Sequence, residues 1–349
     1  MKKPLIVLTG PTAVGKTKLS ISLAKAVGGE IISAESMQVY KYMDIGSAKI
    51  MPEEMQGVPH YLVDELMPEE EFHIVRFQQM AKDAMEKIYT RGHIPILVGG
   101  TGFYIQAVTR NIDFTQAEQD DGYRAGLEAL ALEKGATYLH QMLAEVDPKS
   151  AEVIHENNTK RVIRALEFYH QNHSPISAHN EEQQERTSPY NLAYFVLNAP
   201  RELLYKRIDK RVDEMMTSGL VAEVQKLKDM GCHRGMVSMQ GLGYKEILAY
   251  LDGEMPLEEA VRILKRDTRH FAKRQLTWFR REPETVWVNK DEFGYNEDKM
   301  LEYMLSVCHE KGITGEYLFQ QSDFPQGASP ALKITKNGGI PSDRRKELL

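Results

Sequence analysis

The chain has 349 residues, 42% of them hydrophobic and 27% charged, with a net charge of −6, a composition that fits a globular protein of one large or two ordinary domains. No apolar stretch is long enough to span a bilayer, and Met1-Lys2-Lys3-Pro4 runs straight into an apolar segment, which leaves no room for a leader peptide. Two cysteines, Cys232 and Cys308, make neither a disulfide framework nor a zinc site and suit a reducing cytosol.

The first predicted strand, residues 5–9, leads directly into Gly10-Pro11-Thr12-Ala13-Val14-Gly15-Lys16-Thr17. This is the G-x-x-x-x-G-K-[ST] phosphate loop, placed where a strand ends and a helix begins. Gly10 and Gly15 let the backbone curl so that consecutive N–H groups face one anion, and the N-terminus of the next helix adds positive potential. Lys16 supplies a cation for the terminal phosphate, and the Thr17 hydroxyl suits Mg²⁺. A phosphorylated small molecule is the expected ligand. The loop alone does not name the reaction, because kinases, NTPases and pyrophosphate-releasing transferases share it.

Helix periodicity follows, with Leu19, Leu23 and Ala26 on one face before Gly28-Gly29. Residues 30–33 read as a second strand, 72–89 as an amphipathic helix closed by Arg91-Gly92, and 94–98 as a third strand ending in Gly99-Gly100-Thr101-Gly102. This alternation predicts a parallel sheet with helices on its faces and a ligand crevice at the carboxyl ends of its strands. Thr17, residues 33–38 and Thr101 would meet there. From about 113 to 190 the pattern turns helical and polar, which predicts a helical insertion (113–190) in a discontinuous α/β core (1–112 and 191–310). Residues 183–189 read as a mobile polar stretch. Strand character returns at 193–197; 201–230 reads as one long helix, 256–280 as another and 285–288 as a late strand. From about 311 the chain loses periodicity, and a loosely ordered tail is expected there.

Net charge argues weakly against a nucleic-acid partner, but its distribution does not. Between Arg262 and Arg281 there are eight Lys/Arg and one acid, Asp267. Lys160-Arg161 with Arg164, and Lys206-Arg207 with Lys210-Arg211, form further basic clusters. Such patches bind phosphate backbones even on an acidic protein, although a solvated helix face accounts for them equally well.

Taken together, Gly10–Thr17, Ser36-Met37-Gln38-Val39-Tyr40, Met43-Asp44-Ile45-Gly46 with Ala48-Lys49, residues 97–101, 161–167, Gly243-Tyr244-Lys245-Glu246 and residues 272–280 resemble the bacterial tRNA dimethylallyltransferases, in the family's order over roughly residues 5–290. The resemblance implies a P-loop NTPase-like α/β core with a tRNA-binding helical insertion. It implies transfer of a dimethylallyl group from dimethylallyl diphosphate to N6 of adenosine 37, with Mg²⁺ as cofactor and the tRNA anticodon stem-loop as partner, by a cytoplasmic monomer that contacts no membrane. Gly10, Pro11, Thr12, Ala13, Val14, Gly15, Lys16 and Thr17 would then hold the diphosphate, helped by Arg211, with Thr17 on the metal. Glu35 stands where the family pattern has aspartate and would be the base that takes the N6 proton, one methylene longer than usual. Thr101 would lie by the reacting amine and the diphosphate. Contacts to tRNA would come from Glu35, Ser36, Met37, Gln38, Thr101, Arg124, Lys160, Arg161, Val162, Ile163, Arg164, Gln240, Lys245, Lys273, Arg274, Gln275, Trp278 and Arg280. At least one of Trp278 and Phe279 would instead pack in the core. A small-molecule or nucleotide kinase using ATP, a non-catalytic RNA binder and a transferase for free AMP remain as alternatives, and the residues after about 311 have no counterpart in the family.

Overall fold

A computed structural model of the protein describes residues 2–114 and 121–314. The expected loose tail lies, beyond Thr314, outside the described residues.

Strand β1 (Pro4–Thr9) is followed by α1 (Lys16–Val27), β2 (Gly29–Ser33), a two-residue β3 (His60–Tyr61), α2 (Ile74–Thr90), β4 (Ile94–Gly99) and α3 (Gly102–Thr109). The helices α4 (Asp121–Lys134), α5 (Ala136–Val146), α6 (Pro148–Val153), α7 (Thr159–Asn172) and α8 (Ile176–Glu185) come next. Then follow β5 (Asn191–Asn198), α9 (Arg201–Thr217), α10 (Leu220–Asp229), α11 (Tyr244–Leu251), α12 (Leu257–Phe279), β6 (Thr285–Asn289) and α13 (Glu297–Glu310). All six strands run parallel in the order β3-β2-β4-β1-β5-β6. This is the α/β architecture that the alternation of apolar strand and amphipathic helix requires, because a parallel sheet must be covered on both faces.

The two faces divide the core. Along β1, Leu5 and Val7 join one cluster with Phe77, Ile105, Val224 and Ile247, while Ile6 and Leu8 join the other with Leu23, Phe195, Met300 and Met304. Successive strand side chains point to opposite faces, so one apolar run feeds both layers. Helices α2, α3, α10 and α11 therefore cover one face, and α1 and α13 the other.

Residues Arg110–Ser188 form a compact unit of their own, and the flanking segments up to Thr109 and from Pro189 form the other. The helical unit has its own core, built from Leu127, Leu139, Leu143, Val162, Ile163, Ala165 and Leu166. Asp147 anchors it: its buried carboxylate accepts from the backbone and hydroxyl of both Ser150 and Ser177, which holds it below the usual carboxylate range despite the opposing effect of burial.

Two expectations need correction. The single helix expected over 201–230 is two helices, because Gly219 takes a left-handed conformation (φ 101°) that ends one and starts the next. Gln183 to Glu185, read as the start of a mobile stretch, close α8 instead, and buried Gln183 accepts from the backbone of Asp113.

Candidate active site

The phosphate loop sits at the carboxyl end of the central strand β1. Its conformation is set by close contacts rather than by hydrogen bonds alone. At Gly10 (φ 145°) a Cβ would lie 2.4 Å from the Leu197 carbonyl oxygen, so only glycine fits. Ala13 (φ 62°) and Gly15 (φ 92°) are both left-handed, which curls the peptide groups into an anion-binding nest. Gly15 caps α1 with no side-chain bond, so the first-turn N–H groups keep no partner within the helix.

Lys16 turns back over this loop. Its ammonium donates to the carbonyls of Gly10 (3.0 Å) and Pro11 (3.3 Å) and lies 3.3 Å from Glu35 Oε1. The Lys16 side chain is 10% exposed and that of Glu35 26%, so the pair stands at the mouth of the cradle. Burial pulls Lys16 below the ordinary lysine pKa, with Arg211 adding to the fall and Glu35 opposing it. Arg211, on α9, is likewise lowered chiefly by burial, against Glu35 and Glu214. Two cations and one carboxylate thus share one half-buried place. The surplus positive charge suits a polyanionic ligand.

Gln275 fixes a second loop to the first. Its amide oxygen accepts from Thr12 N–H (2.9 Å), and its amide nitrogen donates to the Gly100 carbonyl (2.9 Å). A Cβ on Gly100 would fall 2.1 Å from that nitrogen, and one on Gly102 would fall 2.2 Å from Trp278 Cδ1. The glycines of the 99–102 turn are therefore the space into which α12 packs. Thr101 is half-buried at the head of α3, where its carbonyl accepts from Tyr104 and Ile105 and its N–H reaches Ala34. Thr9 Oγ1 bonds the Gly99 carbonyl. The ends of β1, β2 and β4 are thereby tied into one rim.

The segment after Glu35 is held from below. Gln38 accepts from Ser33 Oγ (3.2 Å) and donates to the Ala48 carbonyl (3.1 Å). Met37 packs on Gly241, where a Cβ would lie 2.8 Å from its sulfur; Ser36, between Glu35 and Met37, is half-buried. Glu223 grips the following loop: its carboxylate accepts from the N–H groups of Asp44, Ile45 and Gly46 and from the Tyr244 hydroxyl, which itself accepts from Ser47 N–H. Gln240 is exposed, with its amide on the Arg234 carbonyl, and Lys245 lies 3.4 Å from Glu246.

Helix α12 carries the basic run, and its two halves differ. As far as Arg269 the cations are paired, Arg262 with Glu259, Lys265 with Asp213, Arg266 with Asp267 and Arg269 with Asp209. Lys273, Arg274, Arg280 and Arg281 are exposed and make no ion pair among the described residues. Lys273, Arg274, Thr277, Trp278 and Arg281, with His270, line a groove of about 400 Å³. Phe279 is wholly buried, whereas Trp278 is half-buried beside Phe103, with ring centroids 6.1 Å apart.

The structure thus gathers Gly10–Thr17, Glu35, Thr101 and Arg211 at one crevice. Three residues expected to touch RNA are placed otherwise. Val162 and Ile163 are buried in the core of the helical unit, because helical spacing points them inward with Ala165 and Leu166; Lys160, Arg161 and Arg164 are the exposed members of that stretch, and Arg124 pairs with Glu128 and Glu167. Gln275 is 5% exposed and its amide is spent on the two loops. Reading the sequence missed this role, and missed Glu223. Neither residue carries a local signal, since their partners lie 263 and about 180 positions away.

The sheet order and the nest define a P-loop α/β protein with a carboxylate facing the phosphate cradle. The IPP transferase family model matches residues 38–282. The tRNA dimethylallyltransferase of Lachnoclostridium phytofermentans is 60% identical over 312 residues, spanning 89% of this chain and 99% of that one, and that of Acetivibrio thermocellus is 52% identical over 305 residues. Among solved structures, the tRNA isopentenylpyrophosphate transferase of Bacillus halodurans aligns with TM-score 0.67 at 44% identity, covering 89% of this chain and 99% of that one. A eukaryotic dimethylallyltransferase acting on tRNA aligns with TM-score 0.78 at 29% identity, covering 93% and 82%. The chain belongs to the IPP transferase family, that of the tRNA dimethylallyltransferases, as its motifs implied.

Proposed function

We propose that the protein transfers the dimethylallyl group of dimethylallyl diphosphate to N6 of adenosine 37 in tRNA, working as a monomer in the cytoplasm. The observation that supports this most directly is the 3.3 Å approach of Lys16 to Glu35. It puts a phosphate-binding cation and a candidate base within one substrate's reach of each other. In this reading the N–H groups at the head of α1, Lys16 and Arg211 hold the diphosphate. The N6 lone pair attacks C1, the C1–O bond breaks, and the electron pair leaves with diphosphate, whose growing charge these donors stabilise. Glu35 accepts the N6 proton and Thr101 orients the reacting groups.

Mg²⁺ fits the donor set. Thr17 offers an exposed hydroxyl at the nest, and the described residues hold no cluster of three His, Cys, Asp or Glu that could hold a metal. That suits an ion bound mostly through phosphate oxygens and water. When bound it would neutralise charge on the departing diphosphate. The anticodon stem-loop would lie along Glu35–Gln38, Gln240, Lys245 and the exposed cations Lys273, Arg274 and Arg280, with Trp278 available for stacking. No helix among the described residues is long and apolar enough to cross a membrane.

The test is incubation of the protein with Mg²⁺, labelled dimethylallyl diphosphate and unmodified tRNA, followed by mapping of the label. Label at an anticodon-loop adenosine is expected. Phosphoryl transfer from ATP to a small acceptor, with no label in RNA, would overturn the reading.

A further inference from the structure

Lys290 directly follows β6 and is the least explained charge in the core unit. It is 5% exposed. Its ammonium donates to the Val14 carbonyl at 3.3 Å, inside the phosphate loop, and would lie 3.1 Å from a Cβ placed on Gly15. No carboxylate lies within ion-pairing distance among the described residues. The charges that act on it are Arg207, Glu297 and Lys18, and Glu297 is already paired with Lys18 at 2.7 Å. Burial, with Arg207 and Lys18, pulls Lys290 below the usual lysine pKa. The backbone around it is fixed at both ends: its N–H donates to Asn198, and its carbonyl accepts from Tyr295. A buried lysine with so little compensation costs stability, and its cost needs a reason.

The reason lies in the geometry of one peptide group. In a trans peptide the C=O and the following N–H point in opposite directions. An ammonium on the Val14 oxygen therefore directs the Gly15 N–H the other way, and it draws electron density through the amide so that this N–H becomes a stronger donor. The Gly15 N–H stands at the head of α1, beside Lys16, where the diphosphate is proposed to bind. We propose that Lys290 is a positioning residue of the diphosphate site, acting from behind the loop by orienting and polarising the Val14–Gly15 peptide toward the anion. This rests on the diphosphate reading given above. Gly15 serves it twice, by accepting a left-handed φ and by leaving room for the ammonium.

The experiment compares wild type with Lys290→Met and Lys290→Arg, using Mg²⁺-pyrophosphate binding by calorimetry, steady-state transfer to tRNA and thermal melting of the substrate-free protein. In Lys290→Met, the pyrophosphate Kd and the KM for dimethylallyl diphosphate are expected to rise by about tenfold, the loss of one charge-assisted contact. kcat should fall as well, by up to about tenfold, because the same N–H holds the charge that grows on the leaving diphosphate, while the KM for tRNA should not move. The melting temperature should hold or rise, and Lys290→Arg should recover part of the affinity. A lowered melting temperature with unchanged pyrophosphate affinity would make Lys290 a structural residue only and overturn the proposal. A wild-type protein that transferred label to tRNA while both variants bound pyrophosphate normally would refute Lys290's role alone, whereas a wild type that bound no pyrophosphate would remove the diphosphate reading and the proposal with it.

Discussion

Lys16, the first residue of α1, and Lys49, in the loop that follows β2, both tuck their ammonium ions away from solvent, and they are served very differently. The Lys49 side chain is 1% exposed and lies 2.6 Å from Asp44, 2.5 Å from Asp64 and 2.6 Å from the Tyr40 carbonyl. All three of its donors have short, strong acceptors, two of them charged. Lys16 has two carbonyls at 3.0 and 3.3 Å and one carboxylate at 3.3 Å. The first arrangement is complete and holds a loop in place. The second is loose, and an incoming diphosphate would improve it. A cation whose partners are distant and replaceable marks a binding site, and one whose partners are close and complete marks scaffolding.

That contrast can be broken by mutation. Lys16→Ala should lower transfer to tRNA by about a thousandfold or more, the loss of a main electrostatic contact to the leaving group, while the melting curve of the substrate-free protein stays in place. A large drop in melting temperature would put Lys16 in the same class as Lys49. Glu35→Gln should cost about a hundredfold in single-turnover rate, yet leave pyrophosphate binding intact or tighter, because a carboxylate opposing the anion has gone. Glu35→Asp should recover most of the rate, and weakened pyrophosphate binding in Glu35→Gln would assign the residue to anchoring Lys16 rather than to proton transfer. Lys49→Met should destabilise the fold by about 1–2 kcal/mol in denaturant titrations, because it removes the donors that tie Asp44, Asp64 and the Tyr40 carbonyl together, with activity per folded molecule preserved. Gln275→Ala sharpens the comparison at the level of the backbone. It frees Thr12 N–H and the Gly100 carbonyl and should raise the KM for dimethylallyl diphosphate by about fivefold, the worth of one or two neutral hydrogen bonds; an unchanged KM would mean that the two loops keep their places without it.

What could be read in the sequence was what is local. The phosphate loop is eight contiguous residues, and the strands β1, β2 and β4 were exposed because each is an apolar run with a glycine at one end. Even the misplaced Val162 and Ile163 were legible, since they keep helical step with Leu166; the basic residues around them drew the attention. The break at Gly219 was hidden because the amphipathic stripe resumes on its far side with Val224 and Leu227. β3 has only two residues and owes its existence to register with Ile31 and Ile32. The roles that Gln275, Glu223 and Lys290 play could not be read, because each acts on backbone atoms far away in sequence, and backbone atoms carry no residue-type signal.

The uneven pairing along α12 has a further consequence. The helix has 23 residues, so it is about 34 Å long and each half about 17 Å, roughly twice the ~8 Å screening length of physiological salt. The two halves therefore act on an approaching polyanion independently. The first, whose cations are paired, exerts almost no pull, whereas the second carries unpaired Lys273 and Arg274, with unpaired Arg280 and Arg281 just past its end, beside Trp278 and the glycine turn. An RNA coming from solution meets a slope of potential rather than a uniform band, and it is drawn toward the end of the helix that packs against the crevice. Capture and orientation become one event, and raising the ionic strength should slow arrival more than it hastens departure.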